Sequence, residues 1–267
     1  MTLFHLFLLA VIQGVTEFLP VSSSGHLILL PGLTGMQDQG LALDVAVHVG
    51  TLFAVVAYFW QDVKAALFGT FRMLTGRIDT AGSFLALCLL VSTIPVILFG
   101  LVLHVTGLSV GMRSIAVIGW TMLLFGLVLY WADKTGLADR TSDTWTLKHA
   151  VIMGLAQAFA LIPGTSRSGI TITAARKLGY DREGSAKLSM LMSIPTILAS
   201  GVLLAGDAIG TADAQVFKDA GIAAIFAFIA AFLALALMMR LLKSVSFTPY
   251  VIYRIVLGAI LLVYAYS

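Results

Sequence analysis

Long apolar runs alternate with short polar segments along most of this chain, and six of the runs are long enough to cross a lipid bilayer. A spanning helix needs about 20 mostly apolar residues. The six predicted membrane-spanning helices are Leu41–Trp60, Phe84–Leu103, Ser114–Ala132, Leu188–Ala205, Ala220–Met239 and Val251–Tyr266. Because the six runs are distributed along the chain from residue 41 to residue 266, we expect the chain to form one integral membrane domain over residues 1–267.

Two further apolar segments are each broken in the middle by a proline followed by serines and glycines. The first covers about residues 3–30 and is interrupted at Pro20, and the second covers about residues 149–175 and is interrupted at Pro163. Each half is too short to span a bilayer, so each segment is predicted to be a re-entrant helical hairpin with its tip at membrane depth. Irregular backbone is tolerated there only if it is packed in protein or lines a wet cavity.

The composition agrees with this pattern. Hydrophobic residues make up 60% of the chain and charged residues only 11%, whereas soluble domains contain about 25% charged residues. The fold class is therefore predicted to be an all-α polytopic membrane protein with six transmembrane helices and two re-entrant hairpins. The net charge of +3 belongs to the loops of a membrane protein and does not indicate a nucleic-acid partner.

Positive charges are distributed unevenly between the two faces of this topology. One face carries twelve of them, namely Lys64, Arg72, Arg77, Lys134, Arg140, Lys148, Arg176, Lys177, Arg182, Lys187, Arg240 and Lys243. The opposite face carries two, Arg113 and Lys218. Because cytoplasmic loops are enriched in Lys and Arg, both termini are predicted to lie outside the cytoplasm, with the two hairpins entering from opposite faces.

Short internal similarities suggest an inverted repeat. Residues 92–98 resemble residues 192–198, and residues 19–25 resemble residues 162–168. Inverted repeats place a binding site near the bilayer midplane, where broken helices meet.

The first hairpin concentrates polar residues that are expensive inside a bilayer. Gln13 and Glu17 are four residues apart and project from one face of a helix. Pro20 ends that helix, and the serines at 22–24 then start a new one, whose unpaired amides favour an anion such as phosphate. Together with His26, Glu17 provides groups that can move protons.

The second hairpin repeats this arrangement as PGTSRSG at residues 163–169, where Arg167 adds a fixed cation. A guanidinium suits phosphate oxygens. If the two tips meet, the sequence predicts a phosphoryl-transfer site. Two structural alternatives stay open: serines that serve only as helix caps, and an Arg167 that only pairs with Glu17.

A second pair of titratable residues, Asp44 and His48, lies four residues apart in the first spanning segment. We expect structural pairing of these two side chains rather than metal binding. No nucleotide-binding motif is present in the sequence.

The polar motifs resemble those of the bacterial undecaprenyl-diphosphate phosphatase family, also called the bacitracin-resistance protein family. The resemblance rests on QGVTEFLPVSSSGH at residues 13–26 and PGTSRSG at residues 163–169. It extends to DVAVHVGT at residues 44–51 and KLSMLMSIP at residues 187–195. It implies a hydrolase of the bacterial inner membrane that converts undecaprenyl diphosphate to undecaprenyl phosphate, recycles this lipid carrier for peptidoglycan synthesis and confers bacitracin resistance.

The resemblance also implies site residues and a divalent cation, Mg²⁺ or Ca²⁺. The implied catalytic residues are Glu17, Ser23, His26 and Arg167. The implied substrate-binding residues are Gln13, Ser22, Ser24, Gly25, Thr165, Ser166, Ser168 and Gly169. Because Gln13 is not acidic, Glu17 is the only carboxylate of its motif and the only predicted metal ligand.

Our mechanistic hypothesis at this point makes Ser23 the nucleophile and His26 the base that activates it. Direct attack by water or by His26 remains open. A transporter or flippase of undecaprenyl phosphate that uses the same site is the alternative function. The face to which the site opens and a homodimeric state also remain open.

Overall fold

The computed structural model describes residues 1–34, 40–112, 114–209 and 214–267, and these ranges are almost entirely helical. In these ranges the α-helices are α1 (Leu3–Phe18), α2 (Ser23–Thr34), α3 (Gly40–Tyr58), α4 (Trp60–Leu74), α5 (Ala81–Thr106), α6 (Leu108–Gly111), α7 (Ile115–Thr135), α8 (Leu147–Ala158), α9 (Arg167–Lys177), α10 (Arg182–Ile209), α11 (Ala214–Leu241) and α12 (Thr248–Tyr266). Single 3₁₀ turns lie at Ser142–Thr144 and Phe159–Leu161. The same ranges contain no β-strand, so the all-α prediction is confirmed.

Six helices of the described chain are long and apolar enough to cross a membrane: α3, α5, α7, α10, α11 and α12. Each overlaps one predicted spanning run. α5 and α10 continue without interruption through Pro95 and Pro195. The prediction of a polytopic membrane protein with six long apolar helices is therefore confirmed.

The two interrupted segments form helices that are too short to span. α1 has 16 residues and ends at Phe18, just before Pro20. α8 has 12 residues and is followed by one 3₁₀ turn before Pro163. After each proline-containing turn the chain starts a new helix, α2 in the first segment and α9 in the second. Both segments are therefore interrupted at the prolines, as predicted from the sequence.

Small residues allow the helices to approach closely. α1 and α3 both pack on α11, α8 packs on α5, and α7 packs on α12. A methyl group on Gly14 would lie 2.7 Å from Ala230 Cβ. One on Gly50 would overlap the carbonyl oxygen of Ala224. In a lipid environment, where burial of apolar surface contributes little between helices, such close packing is a main source of association.

A buried carboxylate joins the ends of four helices on one face of the bundle. Asp133, at the end of α7, accepts hydrogen bonds from Arg176 Nε at 3.1 Å and Arg182 Nε at 2.9 Å. It also accepts the backbone N–H of Phe247, just before α12, at 3.3 Å. Arg176 is buried, so it is a structural residue and not a solvated loop charge. Arg113, one of the two positive residues of the sparse face, lies outside the described residues.

Candidate active site

The tips of the two interrupted segments have the same backbone conformation. Ser22 and Ser166 have positive φ angles of 74° and 71°, which non-glycine residues rarely adopt. In each tip this serine accepts a hydrogen bond from the backbone N–H three residues later, from Gly25 at 3.3 Å and from Gly169 at 3.1 Å. Each tip therefore presents a capped helix start, with its positive dipole end, at the point where the chain turns.

The two tips lie in direct contact. The hydroxyl of Ser168 donates to the carbonyl oxygen of Leu19 at 3.0 Å, which joins the second tip to the first. Thr121 of α7 donates to the carbonyl oxygen of Pro163 at 2.6 Å, which joins the second tip to a long helix. The expectation that the tips meet is therefore confirmed.

Glu17 is the centre of the pocket between the tips. Its Oε1 accepts a hydrogen bond from Arg167 Nη2 at 2.8 Å. Its Oε2 accepts hydrogen bonds from Ser23 Oγ at 2.7 Å and Gln13 Nε2 at 2.9 Å. Only 7% of the glutamate is exposed. One buried carboxylate therefore holds a guanidinium, a hydroxyl and an amide at the meeting point of the two segments.

Arg167 is also held from the other side. Its Nη1 donates to the carbonyl oxygen of Ser189 in α10 at 3.1 Å. The arginine thus connects α9 to α10 as well as to α1. Its side chain is 13% exposed.

His26 does not contact the hydroxyl that it was expected to activate. Its Nδ1 lies 2.6 Å from the carbonyl oxygen of Ser22, and its Nε2 lies 2.6 Å from the hydroxyl of Tyr253. A carbonyl only accepts hydrogen bonds, so in the neutral ring Nδ1 carries the proton and Nε2 accepts from the tyrosine. The hydroxyl of Ser23 points to Glu17 instead. The predicted Ser23–His26 contact is wrong because the histidine ring bends back onto the first turn of its own helix.

Two buried polar atoms in the pocket have no hydrogen-bond partner within the described part of the chain, Gln13 Oε1 and Thr165 Oγ1. Buried polar atoms of this kind are costly. One belongs to each interrupted segment, and both residues were predicted to bind substrate. Each of the two segments therefore carries one buried oxygen atom that is available to a further partner.

The remaining predicted binding residues lie around the turns. Ser22 and Ser166 are buried, and each lies within 3.4 Å of the serine two positions later. Ser24 is exposed, whereas Ser168 is fully buried. Seven of the eight predicted binding residues therefore lie in the two tips. The eighth, Gln13, donates a hydrogen bond to Glu17.

Arg254 of α12 was not predicted, although it is fully buried between the tips. Its guanidinium donates only to backbone carbonyl oxygens in the described chain, those of Pro20, Thr121, Met122, Gly164 and Thr165, at 2.9–3.4 Å. A Cβ on Gly169 would lie 2.7 Å from its Nη1, so a glycine is needed there. A charged side chain within an apolar spanning segment is energetically costly and usually functional. The position of Arg254 in such a segment is therefore the sequence signal that could have identified it.

His48 of α3 is a second residue that was not assigned to the site. Its Nε2 lies 3.8 Å from Glu17 Oε2. Its Nδ1 lies 2.7 Å from the backbone carbonyl oxygen of Asp44. The predicted pairing of the two side chains is therefore replaced by a bond to the backbone, which directs the other ring nitrogen toward the glutamate.

A divalent cation fits this pocket only if the protein and the substrate each supply some of its ligands. The described residues contain no group of three or more His, Cys, Asp or Glu side chains that could hold a metal ion. Mg²⁺ sites in phosphate-handling proteins use one or two carboxylates together with phosphate oxygens. Glu17 and the unpartnered Oε1 of Gln13 are oxygen ligands of the kind such a site requires.

Six membrane-length helices in the described chain, packed with a polar cluster at Glu17, define a multi-pass membrane protein. The family model described as "Bacitracin resistance protein BacA" matches residues 6–260. The chain belongs to this family.

Curated relatives match the sequence of the chain over all or nearly all of its length. It is 69% identical over 267 residues to the undecaprenyl-diphosphatase of Roseobacter denitrificans, covering 100% of both chains. It is 68% identical, with the same coverage, to that of Jannaschia sp.. It is 45% identical over 260 residues to that of Chromohalobacter salexigens, which covers 97% of this chain and 98% of the relative.

Replacing Arg254 by Gln is expected to destabilise the protein, because buried carbonyl groups of both tips lose their donor. Each such group costs about 1–3 kcal/mol, so we expect a loss of at least about 3 kcal/mol, or roughly 6 °C or more in melting temperature. Thermal unfolding in detergent measures this. The matched control is Arg240→Gln, at an exposed position. Equal melting temperatures for the two variants would contradict the role given to Arg254.

Proposed function

We propose that this protein hydrolyses undecaprenyl diphosphate to undecaprenyl phosphate and inorganic phosphate. The observation that carries the proposal is the buried cluster of Glu17, Ser23 and Arg167 between two helix starts, in a chain whose full-length relatives are named undecaprenyl-diphosphatases. The product is the lipid carrier for peptidoglycan synthesis, and removal of the diphosphate lowers the amount of lipid that bacitracin can bind. A pure lipid carrier requires no nucleophile. The Ser23 hydroxyl, which donates to Glu17, therefore favours hydrolysis over transport.

The pocket supplies positive charge and donors for the diphosphate. The starts of α2 and α9 carry unpaired amides and positive dipole ends. Arg167 adds a guanidinium, and the unpartnered hydroxyl of Thr165 adds a donor for a phosphate oxygen. Arg254 contributes further positive charge from behind the tips. Catalysis of phosphoryl transfer depends mainly on such positioning and charge stabilisation.

The Ser23 hydroxyl is the group best placed to attack. Its proton already points at Glu17 Oε2, so the carboxylate accepts this proton as Oγ bonds to the terminal phosphorus. The bond from that phosphorus to the bridging oxygen breaks, and undecaprenyl phosphate leaves with the electron pair. Water then attacks the phosphorus of the phosphoserine, the bond from phosphorus to Ser23 Oγ breaks, Oγ takes the electron pair and regains the proton from Glu17, and inorganic phosphate is released. We assign His26 to this second step, in which it orients or deprotonates the water.

A divalent cation, Mg²⁺ or Ca²⁺, takes part in the proposed reaction. Glu17 and Gln13 Oε1 would hold it together with phosphate oxygens. When bound, the ion neutralises negative charge on the diphosphate.

We further propose that the two interrupted segments are re-entrant hairpins related by an inverted repeat. Three features support this. The tips share positive φ at Ser22 and Ser166, three membrane-length helices follow each segment, and α1 packs on α11 as α8 packs on α5. The similarity of residues 92–98 and 192–198 does not support it. The first lies in α5 and the second in α10, which are the second and the first long helices after their respective hairpins.

The charge distribution supports an orientation in the bacterial inner membrane. Even without the buried Arg176, eleven positive residues belong to one face and two to the other, and this bias supports a cytoplasmic location of the first face. Both termini then lie outside, the first hairpin enters from the outer face and the second from the cytoplasm. The lipid substrate keeps its tail in the bilayer while its diphosphate reaches the tips.

Substitution of Glu17 or Arg167 is expected to abolish phosphate release while the protein remains folded. Loss of a proton acceptor or a charge-stabilising donor costs about 10²–10³-fold in rate. We expect such losses for Glu17→Gln and Arg167→Lys when purified protein in detergent is given undecaprenyl and farnesyl diphosphates. The matched controls are Glu183→Gln and Arg72→Lys, which lie outside the pocket. Wild-type binding of the lipid without release of phosphate would instead identify a carrier.

A phosphoserine at Ser23 is expected when the second step is slowed. Rapid quenching of His26→Gln with substrate labelled at the terminal phosphate should leave label on the protein. Mass spectrometry of the peptide that contains residue 23 locates it. Ser23→Ala should lose both the label and turnover. Full turnover by Ser23→Ala would show that water or another residue attacks the phosphorus.

Single cysteines are expected to report opposite faces of the membrane. The native Cys88 is buried, so the unsubstituted chain serves as the unlabelled control. A membrane-impermeant thiol reagent added to cells with a permeabilised outer membrane should label Lys218→Cys and not Arg77→Cys. Arg77→Cys should become reactive only after the inner membrane is opened. The reverse pattern would invert the proposed orientation.

A further inference from the structure

We propose that His48 is a ligand of the divalent cation, bound through Nε2 beside Glu17 Oε2, and that this nitrogen makes the site prefer Mn²⁺ to Ca²⁺. The inference rests on the proposed function, because it concerns the cation of the same pocket. It adds a residue on α3, a helix that belongs to neither interrupted segment.

The orientation of the imidazole is fixed by the backbone. Nδ1 lies 2.7 Å from the carbonyl oxygen of Asp44, and a carbonyl can only accept, so Nδ1 carries the proton. The lone pair of Nε2 then faces the carboxylate of Glu17. Histidine ligands of metals commonly have this arrangement, in which the second ring nitrogen donates to a backbone carbonyl or a carboxylate.

The distance between the two facing atoms suits an ion between them. Nε2 and Oε2 are 3.8 Å apart, which is longer than the 2.7–3.2 Å of an N–H···O hydrogen bond. Two atoms that each bind one ion at about 2.1 Å are ~3.0 Å apart at a right angle and ~4.2 Å apart when opposite. The observed separation falls within this range.

Gln13, whose amide contacts Glu17, offers a third donor. Gln13 bonds to Glu17 Oε2 through Nε2, and the other atom of that amide, Oε1, is buried without a partner in the described chain. The His48 side chain is 35% exposed, which leaves a side open for phosphate oxygens and water. The protein thus offers one carboxylate oxygen, one amide oxygen and one imidazole nitrogen, and substrate completes the coordination.

The nitrogen donor has a consequence for the choice of ion. Ca²⁺ and Mg²⁺ are held by oxygen ligands, whereas imidazole is a ligand of first-row transition-metal ions. A site in which one of three protein donors is a nitrogen therefore gains affinity for Mn²⁺ relative to Ca²⁺. Replacing that nitrogen with a carboxylate oxygen reverses the preference.

The test is Mn²⁺ binding to the full-length protein in detergent, purified without a polyhistidine tag and measured with and without inorganic phosphate. Pulsed electron paramagnetic resonance detects a directly bound imidazole through its ¹⁴N coupling. We expect this coupling in the wild type and in His26→Gln, which keeps His48. In His48→Gln we expect the ¹⁴N coupling to be lost and the dissociation constant for Mn²⁺ to rise at least tenfold.

A rescue variant separates ligand loss from misfolding. His48→Asp should bind Mn²⁺ again without ¹⁴N coupling, and its ratio of Ca²⁺ to Mn²⁺ affinity should rise at least tenfold above that of the wild type. Coupling that persists in His48→Gln, disappears in His26→Gln or is absent from the wild type would overturn the assignment. The measurement involves no turnover, so a failure of the proposed function appears separately, as absence of phosphate release by the wild type.

Discussion

Buried backbone that belongs to no helix needs hydrogen-bond partners within the protein, and Arg254 supplies them to both tips. Its guanidinium donates to carbonyl oxygens of both tips, including Pro20 and Thr165, and also to two carbonyl oxygens of α7. Without it, two turns that belong to no helix would have unpaired carbonyls at the same depth. The relative position of the catalytic groups follows, because Ser23 and Arg167 each lie directly after one of these turns.

The same arrangement explains how an anionic headgroup can be accommodated away from water. Glu17 neutralises one guanidinium, that of Arg167, while the hydrogen bonds of Arg254 go to neutral carbonyls. The pocket therefore carries an excess of positive charge in a low-dielectric region, where electrostatic interactions are strong. Binding of a diphosphate offsets this excess, so the charge that is costly in the free protein becomes favourable with substrate.

The sequence predicts the parts of this structure that depend on one segment at a time. The lengths of apolar runs locate the six long helices, and a proline followed by serines locates each tip. Contacts between segments could not be predicted in this way. Ser23 and His26 are three residues apart in one helix and suggest a pair, yet the Ser23 hydroxyl donates to Glu17 and the His26 ring contacts the carbonyl oxygen of Ser22 and the hydroxyl of Tyr253. The approach of His48 to Glu17 depends on how α3 packs beside α1, which neither segment encodes alone.

The hydrogen bonds to Asp133 also fix the position of α9, and with it the position of Arg167. Asp133 fixes Arg176, near the last turn of α9, at the level where α7 ends and α10 begins. α9 contains 11 residues, and at 1.5 Å per residue it measures about 16 Å. That is close to half of the ~30 Å hydrocarbon thickness. In the proposed re-entrant arrangement, α9 would therefore hold Arg167 about midway through the bilayer, independently of the lengths of the surface loops.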